Sequence, residues 1–456
     1  MNRNITRIVA IAATLAMGTS LAACGGSSAD SSKGHVYFMN NKAEVVDQYK
    51  ELASMYTKKT GVQVDIQTGA AGTYDATMKS ELAKDNAPTM FNVAGFDQFA
   101  KYQKYVEPLQ DTDVFKLLND TGKAYSYTID GNSYTLPYAA EWYGIIYNKK
   151  IIKDYCAKSY AVIKSADDIK DYKTLKQVAE SIEQHKDDLG VDGAFATPGL
   201  DNTSDTYRFA AHMTRLPLYY EYRDANTTFS KTIKGTYLKN YKDMFDLQLK
   251  TSPTEASMVS SKTYDDVTSE FALGQVAFYP NGVWAYSQIK GNDVADEDLG
   301  MLPYYMGIKG EEDCGPVGVY DASWAVNKNA SEKDKKATLD FIKWMITDNE
   351  AKKILSKDMG FSVPFTTFTD DYQPDNPLTE AARAYSNDGK TEVRSFTIPD
   401  QQWQDDIASA LVEYTQGTGK WDKVQSAFVD GWSTEWNNNE ESLGSVPEAQ
   451  KFDAKS

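Results

Sequence analysis

The sequence predicts an α/β protein of two lobes. The chain has 456 residues, and more than 400 remain after an N-terminal leader, which is more than one hydrophobic core usually organises. Strand and helix patterns alternate over residues 35–93, which indicates a mainly parallel sheet with right-handed crossovers. From Lys149 onward long polar helices replace that alternation and mark a second unit.

Residues 1–23 have the features of a secretory signal. Arg3 and Arg7 precede an apolar run from Ile8 to Met17 that is too short to span a membrane. Leu-Ala-Ala-Cys24 follows and resembles the bacterial lipobox, which implies cleavage before Cys24 and attachment of diacylglycerol to its thiol. The alternative is an ordinary signal peptide with an incidental cysteine. Residues 24–34 are small and polar, so we expect a flexible tether.

Charge and reactive side chains exclude several classes of protein. A formal net charge of −17 argues against binding of nucleic acid or other polyanions. The three histidines, at positions 35, 185 and 212, lack metal-ligand spacing, and no Gly-x-Ser-x-Gly motif occurs. We therefore predict no metal, no cofactor and no catalytic residues. Cys156 and Cys314 remain beside Cys24, and the sequence leaves their pairing open.

The first unit offers two candidate ligand residues. Strands are predicted at 35–39, 62–67 and 89–93, and Tyr74 begins the helix between the last two. Ligands of such sheets bind beyond the carboxyl ends of the strands, which is where Asp97 falls. A helix N-cap is an equally good interpretation of Asp97.

Two stretches combine aromatic and polar residues in a way that indicates a binding site. Glu141-Trp142-Tyr143 interrupts two strand-like segments, so Glu141 is either a buried structural carboxylate or part of a cleft wall. In residues 271–289, Gly274 ends a helix, a short strand follows, and Pro280-Asn281-Gly282 predicts a turn. Trp284 then falls in the first turn of the next helix, where it either stacks on a ligand or packs in the core.

Further candidates follow along the chain. Asp201 and Asn202 lie in a polar loop, Asp321 breaks a strand pair at 317–326, and Trp403 begins an apolar helix face. Residues beyond Asn439 are expected to be frayed.

These stretches, in the same order and over nearly the whole mature chain, resemble the extracellular solute-binding proteins of bacterial ABC sugar importers, the maltose-binding-protein-like family. In that family an Asn-Gly-x-Trp-Ala element places a tryptophan on a pyranose ring, which falls on Trp284. The resemblance also implies that Glu141 and Asp97 bind sugar hydroxyls, and that Trp403 lies near a second stacking position. An aromatic residue of the family's maltose binder is missing near Ala94, so the resemblance implies the carbohydrate class but not which sugar is bound.

The implied fold is a type II periplasmic-binding-protein fold with a hinge. The first lobe would comprise residues 35–140 and 321–364, and the second residues 141–320 and 365–440, with crossings near Ala140, Asp321 and Pro364. The candidate ligand-binding residues are Trp284, Glu141, Asp97, Trp142, Asn281, Asp321, Trp403, Asp201, Asn202 and Tyr74.

The function implied is capture of a carbohydrate, in particular an oligosaccharide, by a monomeric lipid-anchored protein on the outer face of the cytoplasmic membrane. Its partners would be the sugar, an ABC permease and the membrane, through the lipid on Cys24. Aromatic residues make up 12% of the chain, including 30 Tyr, which suits a ligand with apolar faces. The alternatives are a binding protein of the same fold for a polyamine or a peptide, and a secreted glycoside hydrolase.

Overall fold

The computed structural model describes residues 33–69, 73–129, 131–201, 205–320, 322–443, 446–447 and 449–452. Its strands are β1 His35–Asn40, β2 Gln63–Thr68, β3 Met90–Val93, β4 Thr128–Ile129, β5 Asn132–Ser133, β6 Leu136–Pro137, β7 Glu141–Asn148, β8 Gly193–Phe195, β9 Val276–Gly282, β10 Leu299–Leu302, β11 Cys314–Val319, β12 Ser323–Val326 and β13 Thr391–Arg394.

The α-helices are α1 Val46–Thr60, α2 Tyr74–Glu81, α3 Gly95–Tyr102, α4 Asp113–Lys116, α5 Asp120–Ala124, α6 Lys149–Cys156, α7 Tyr172–Gln184, α8 Lys186–Leu189, α9 Arg215–Ala225, α10 Leu238–Lys250, α11 Tyr264–Ala272, α12 Tyr286–Ile289, α13 Glu332–Thr347, α14 Asn349–Lys353, α15 Pro377–Asn387, α16 Gln401–Thr415 and α17 Trp421–Leu443. Two π-helical segments, Arg208–Met213 and Ile354–Asp358, precede α9 and follow α14.

The sheet of the first lobe has the order β2-β1-β3-β12-β6. Strand β1 runs parallel to both β2 and β3, as the alternating sequence pattern predicts, whereas β12 returns antiparallel beside β3. Helix α1 ends at Gly61, whose positive φ of 76° is available to glycine without strain. The core of this lobe forms where α1 and α13 cover the sheet, around Phe38, Trp324 and Phe341.

The sheet of the second lobe has the order β13-β11-β7-β9-β8, and β10 pairs with the far half of β7. All eight residues of β7 are buried. Residues 141–143 pair with β11 and residues 145–148 with β10, while β9 covers the opposite edge over residues 143–147. Buried backbone groups need hydrogen-bond partners, and this arrangement supplies them along both edges of β7.

The predicted turn at Pro280-Asn281-Gly282 is wrong, because β9 continues through all three residues. Proline is tolerated there for a geometric reason. The Pro280 carbonyl accepts a hydrogen bond from Arg208, so the side that lacks an N–H faces Arg208 rather than β7. Strand β8 pairs with β9 only as far as Phe278 and needs no donor at Pro280.

The chain passes between the two sheets at three places. Backbone hydrogen bonds join Ala140 to Ser362 (2.8 Å) and Tyr138 to Ala322 (3.0 Å), which ties the crossings together. Phe365 and Phe368 still pack in the core of the first lobe, whereas Asn376 donates to the Val283 carbonyl of the second. We therefore propose that the third crossing lies between residues 368 and 376, beyond Pro364. The predicted crossings near Ala140 and Asp321 stay proposals.

The structure answers the question of cysteine pairing that the sequence leaves open. Cys156 and Cys314 are free thiols, and Cys314 is buried. Among the described residues, no helix combines the length and the apolar character that crossing a membrane requires.

Candidate functional site

The two lobes face each other across a cleft that contains a large cavity of about 580 Å³. Asn41, Asp75 and Gln98 line it from the first lobe, and Arg215 and Phe396 from the second. Tyrosine rings form much of the remaining wall. These are Tyr74, Tyr125, Tyr127, Tyr207 and Tyr320. A small cavity of about 100 Å³ lies between the lobes as well, lined by Glu141 and Trp284 among others.

Asp75 gives the first-lobe wall its fixed polar group. It stands in the first turn of α2, where one oxygen accepts hydrogen bonds from Gln98 (2.9 Å) and the Tyr102 hydroxyl (2.8 Å). The other oxygen lies 3.2 Å from the Lys101 ammonium. About a third of the Asp75 side chain stays exposed to the cavity, so it can accept further hydrogen bonds from a ligand.

Tyr74 lines the same wall but offers its ring rather than its hydroxyl. The hydroxyl lies 2.8 Å from the Asn92 carbonyl and accepts a hydrogen bond from the Asn92 N–H at 3.0 Å. The side chain is buried, so its exposed part is a small apolar surface beside Asp75.

On the second lobe, an aromatic cluster of Tyr143, Tyr207, His212 and Trp284 lies beside the cleft. The His212 ring stacks on Tyr143 at 4.4 Å and lies 5.1 Å from Trp284, and Tyr207 meets its edge at 4.6 Å. Tyr207 is 45% exposed and faces the large cavity, whereas the half-buried Trp284 faces the small one. The cluster thus presents an aromatic surface to each cavity.

A buried guanidinium positions this cluster. Arg208 donates to both carboxylate oxygens of Asp205, at 2.7 and 2.8 Å, and to the carbonyls of Thr197 and Pro280. These bonds join the 197–205 loop, the π-helical segment and β9. Tyr207 immediately precedes that segment and His212 lies within it. Single-turn π segments of this kind recur at functional sites.

His212 is held as a neutral imidazole. Burial lowers its pKa to about 3, and the positive charges of Arg215 and Arg208 act in the same direction. A neutral ring between three aromatic rings avoids the cost of placing a charge in an apolar site.

Glu141 forms an ion pair that joins the lobes. Its carboxylate oxygens lie 2.9 and 3.1 Å from the Nζ of Lys42, which follows β1 in the first lobe. Burial is the largest single influence and would lower the pKa of Lys42, but the charges of Glu141 and Glu44 and the hydrogen bond to Glu141 together outweigh it, so the net shift is upward. Only 9% of the Glu141 side chain and 15% of the Lys42 side chain are exposed. Glu141 therefore has a structural partner as well as a place on the small cavity.

Trp142 is held by a carboxylate that the sequence analysis did not single out. Its indole N–H donates to Glu392 at 2.6 Å, and the Tyr320 hydroxyl donates to the same carboxylate at 2.9 Å. Burial raises the pKa of Glu392, although both donors act against that rise. Tyr320 in turn stacks on Tyr125 of the first lobe at 4.2 Å. Trp142 thus supports an interlobe stack rather than lining a cavity itself.

Two predicted ligand residues lie in the core of the second lobe. Trp403 is fully buried and its indole N–H donates to the Phe428 carbonyl at 2.9 Å. Asn281 is also buried, and its amide donates to the hydroxyls of Tyr264 (3.1 Å) and Tyr279 (2.6 Å). Because neither side chain has a surface open to a ligand in this structure, we leave both out of the proposed site.

The remaining candidates are placed only in part. Asp201 is half-buried at the edge of its loop. Asp97 lies in the first turn of α3, but its side chain lies outside the described part of the structure, as do Asn202, Asp321 and Cys24. Among the described residues, no group of three or more His, Cys, Asp or Glu side chains could hold a metal ion.

A family model described as bacterial extracellular solute-binding protein matches residues 51–384. The chain therefore belongs to the bacterial extracellular solute-binding proteins, as the resemblance implied.

Individual relatives agree with this class. A maltotriose-binding protein of Pyrococcus abyssi (strain GE5 / Orsay) is 25% identical over 237 residues, which are 51% of this chain and 44% of that protein, so the chain matches less than half of its relative. A chitin oligosaccharide binding protein aligns with a TM-score of 0.68 and 17% identity over 90% of this chain and 99% of its own. The GacH receptor of Streptomyces glaucescens GLA.O, solved unliganded and with acarbose, aligns with a TM-score of 0.67 and 17% identity over 89% and 99%. These likenesses confirm the predicted two-lobe α/β fold.

We predict that Glu141→Gln destabilises the protein in the absence of ligand. The Lys42 ammonium would lose its buried partner and keep only the more exposed Glu44, so the free energy of unfolding should fall by about 1–3 kcal/mol in urea titrations. Glu44→Gln is the matched control, because Glu44 is 41% exposed and lies 3.4 Å from the same ammonium. Its expected effect is at most about 0.5 kcal/mol. Equal effects of the two variants would show that the Glu141 pair has no special role.

A second prediction concerns pH. Between pH 6.5 and 3 the unfolded imidazole of residue 212 binds a proton that the folded one does not. The contribution of His212 to the free energy of unfolding is therefore complete above pH 6.5 and declines as the pH falls towards 3. We expect the free energy of unfolding to drop by about 1–2 kcal/mol between pH 7 and pH 5 through this group. His212→Gln should remove that part of the slope, and His185→Gln should keep it. An unchanged slope in His212→Gln would contradict the prediction.

Proposed function

We propose that this protein is the lipid-anchored substrate-binding component of an ABC importer and that it captures a carbohydrate, specifically an oligosaccharide, by closure of its lobes. The observation that carries the proposal is the tyrosine-walled cavity between the lobes.

The size of the cavity suits a small glycan. Its volume of about 580 Å³ lies within the range of roughly 300–1,000 Å³ that is usual for sites of small organic ligands. A monosaccharide would leave much of this space to water, so the volume favours more than one sugar unit.

The chemistry of the walls fits the two sides of a sugar ring. The C–H faces of a pyranose pack on aromatic rings, and five tyrosines line the cavity. The hydroxyl groups at the rim both donate and accept hydrogen bonds. Asp75 supplies acceptors there, and the amide side chains of Asn41, Gln98 and Gln404 lie in the same wall.

The relatives support the same ligand class. Their names refer to maltotriose and chitin oligosaccharide, and GacH was solved with acarbose. The names differ in the sugar, so they support carbohydrate as the class without choosing a glycan for this chain.

The charges of the cavity argue against a polyamine. Arg215 and Arg394 both line it, and a polycationic ligand would meet repulsion from them. The carboxylates in this region also argue against hydrolysis. Asp75 lines the cavity and is bonded to α3, and Glu392 accepts hydrogen bonds from Trp142 and from Tyr320 of the cavity wall. A glycosidase needs one carboxyl free to protonate the leaving group and another free to attack or to activate water. We propose binding without catalysis.

Binding would close the cleft by a shift of population. The cavity takes walls from both lobes, so a ligand that fills it contacts both and favours the closed arrangement. Closure would then present both lobes together to a membrane permease.

We predict that Tyr207→Ala weakens glycan binding by about tenfold, which corresponds to one lost aromatic stack. The measurement is calorimetric titration with malto-, chito- and xylo-oligosaccharides, raffinose and stachyose, with chromatography of the mixture for hydrolysis products. Trp284→Ala tests the small cavity in the same way. Met258→Ala is the control, since Met258 is 56% exposed and lines neither cavity. Affinities within a factor of two of wild type for both aromatic variants would contradict the site, and cleavage of the glycan would contradict the proposed function.

The lipid anchor is a separate prediction. If Cys24 is acylated after cleavage, the protein should sediment with membranes, and the N-terminal peptide should carry the mass of a diacylglyceryl cysteine. Cys24→Ser should release the protein into the soluble fraction without changing glycan affinity. An unmodified Cys24 in a protein that does not sediment would refute the anchor and leave the binding proposal intact.

A further inference from the structure

Pro447 and Gln450, which follow the last helix, line the ligand cavity. After α17, residues 446–447 and 449–452, here named the C-terminal strap, lie against the second lobe. The sequence predicts fraying from Asn439 onward, yet the helix continues to Leu443 and the strap makes defined contacts beyond it. These contacts fix the position of the strap beside the cavity.

Two anchors hold the C-terminal strap in place. The Thr228 N–H donates to the Gln450 carbonyl at 3.0 Å, and the Gln450 N–H donates to the Thr228 hydroxyl at 2.9 Å. The Phe452 ring packs at 5.4 Å from Tyr219 and 6.0 Å from Phe396. A reciprocal pair of hydrogen bonds and an aromatic anchor two residues away fix the direction of the segment.

The anchored residues place polar and apolar groups on the cavity. Pro447 and Gln450 line it, next to Thr228, Phe229 and Phe396. Gln450 is exposed and bonds to Thr228 through its backbone, which leaves its side-chain amide available to a ligand in the cavity. That amide can donate two hydrogen bonds and accept two, which matches the mixed character of sugar hydroxyls.

We propose that the C-terminal strap is part of the ligand site and that Gln450 is a specificity-determining contact to the hydroxyl groups of a bound glycan. The inference rests on the proposed function, because it takes its ligand class from there. It goes further by assigning recognition to a segment outside the two lobe sheets and their helices.

A purely structural role makes a different prediction. If the strap only covers Tyr219 and Phe396, then the Phe452 ring matters and the Gln450 side chain does not. The two roles are therefore separated by substituting Gln450 while its backbone bonds and the Phe452 anchor stay in place.

The test compares Gln450→Ala with Lys451→Ala, its exposed neighbour that does not line the cavity. In titrations with malto- and chito-oligosaccharides of two to six units, Gln450→Ala should raise the Kd of the bound glycan by about three- to tenfold, the usual net effect of losing one or two hydrogen bonds. Lys451→Ala should leave the Kd within twofold of wild type, and the melting temperature without ligand should be the same for both.

Truncation provides the second measurement. Deletion of residues 449–456 should raise the Kd at least as much as Gln450→Ala, and deletion of residues 453–456 should leave it unchanged. If wild type binds a glycan and both Gln450→Ala and the longer deletion match Lys451→Ala, the strap is not part of the site and the proposed function stands. If wild type binds none of the glycans, the proposed function fails and the inference fails with it.

Discussion

The structure depends on the requirement that β7 be paired along both edges while it is buried on both faces. Strand β9 occupies one edge, and β11 and β10 follow each other along the other. The first three residues of this strand are Glu141, Trp142 and Tyr143, and successive side chains of a strand point to opposite faces. Glu141 and Tyr143 therefore share one face, towards the small cavity and Trp284, and Trp142 points the other way, towards Glu392. The hydrogen bonding of a core strand thus sets the positions of the residues that meet at the cleft.

Elements with strong local signals were predictable from the sequence. The parallel β-α-β order of residues 35–93 follows from periodicity. The break predicted at Glu141-Trp142-Tyr143 was wrong, because β7 begins at Glu141 and runs through all three residues. The turn predicted at Pro280 was wrong because local preference was overridden by tertiary context. Arg208, 72 residues away in the sequence, takes the carbonyl there, and the end of β8 leaves no strand that needs the missing N–H.

Candidate site residues could be named only where one stretch held several of them. Glu141, Trp142 and Trp284 stood out in this way and stay predictions, whereas their contact partners Lys42, Glu392 and His212 lie far away in sequence. No local pattern marks Asp75, because the residues that hold it in place lie on α3. The abundance of tyrosine likewise gave no indication of which rings would face the cleft. Trp403 shows the opposite error, since an aromatic residue on an amphipathic helix is the usual pattern of a core residue, and it lies in the core.

The interlobe contacts indicate how the cleft is prepared for a ligand. The Lys42–Glu141 pair and the Tyr125–Tyr320 stack join the lobes through protein side chains alone, so part of the attraction between the lobes is internal to the protein. A ligand then needs to supply only the remaining difference in free energy between the open and closed states. Ligand contacts that are equally strong in both states add nothing to that difference. Groups already bonded within one lobe, such as Asp75 to α3, hold their orientation before a ligand arrives and so lower the entropic cost of binding. Under the proposed function, selectivity among ligands would come from side chains that are anchored through their neighbours but still open to the cavity. Tyr207 on the π-helical segment and Gln450 on the C-terminal strap meet both conditions.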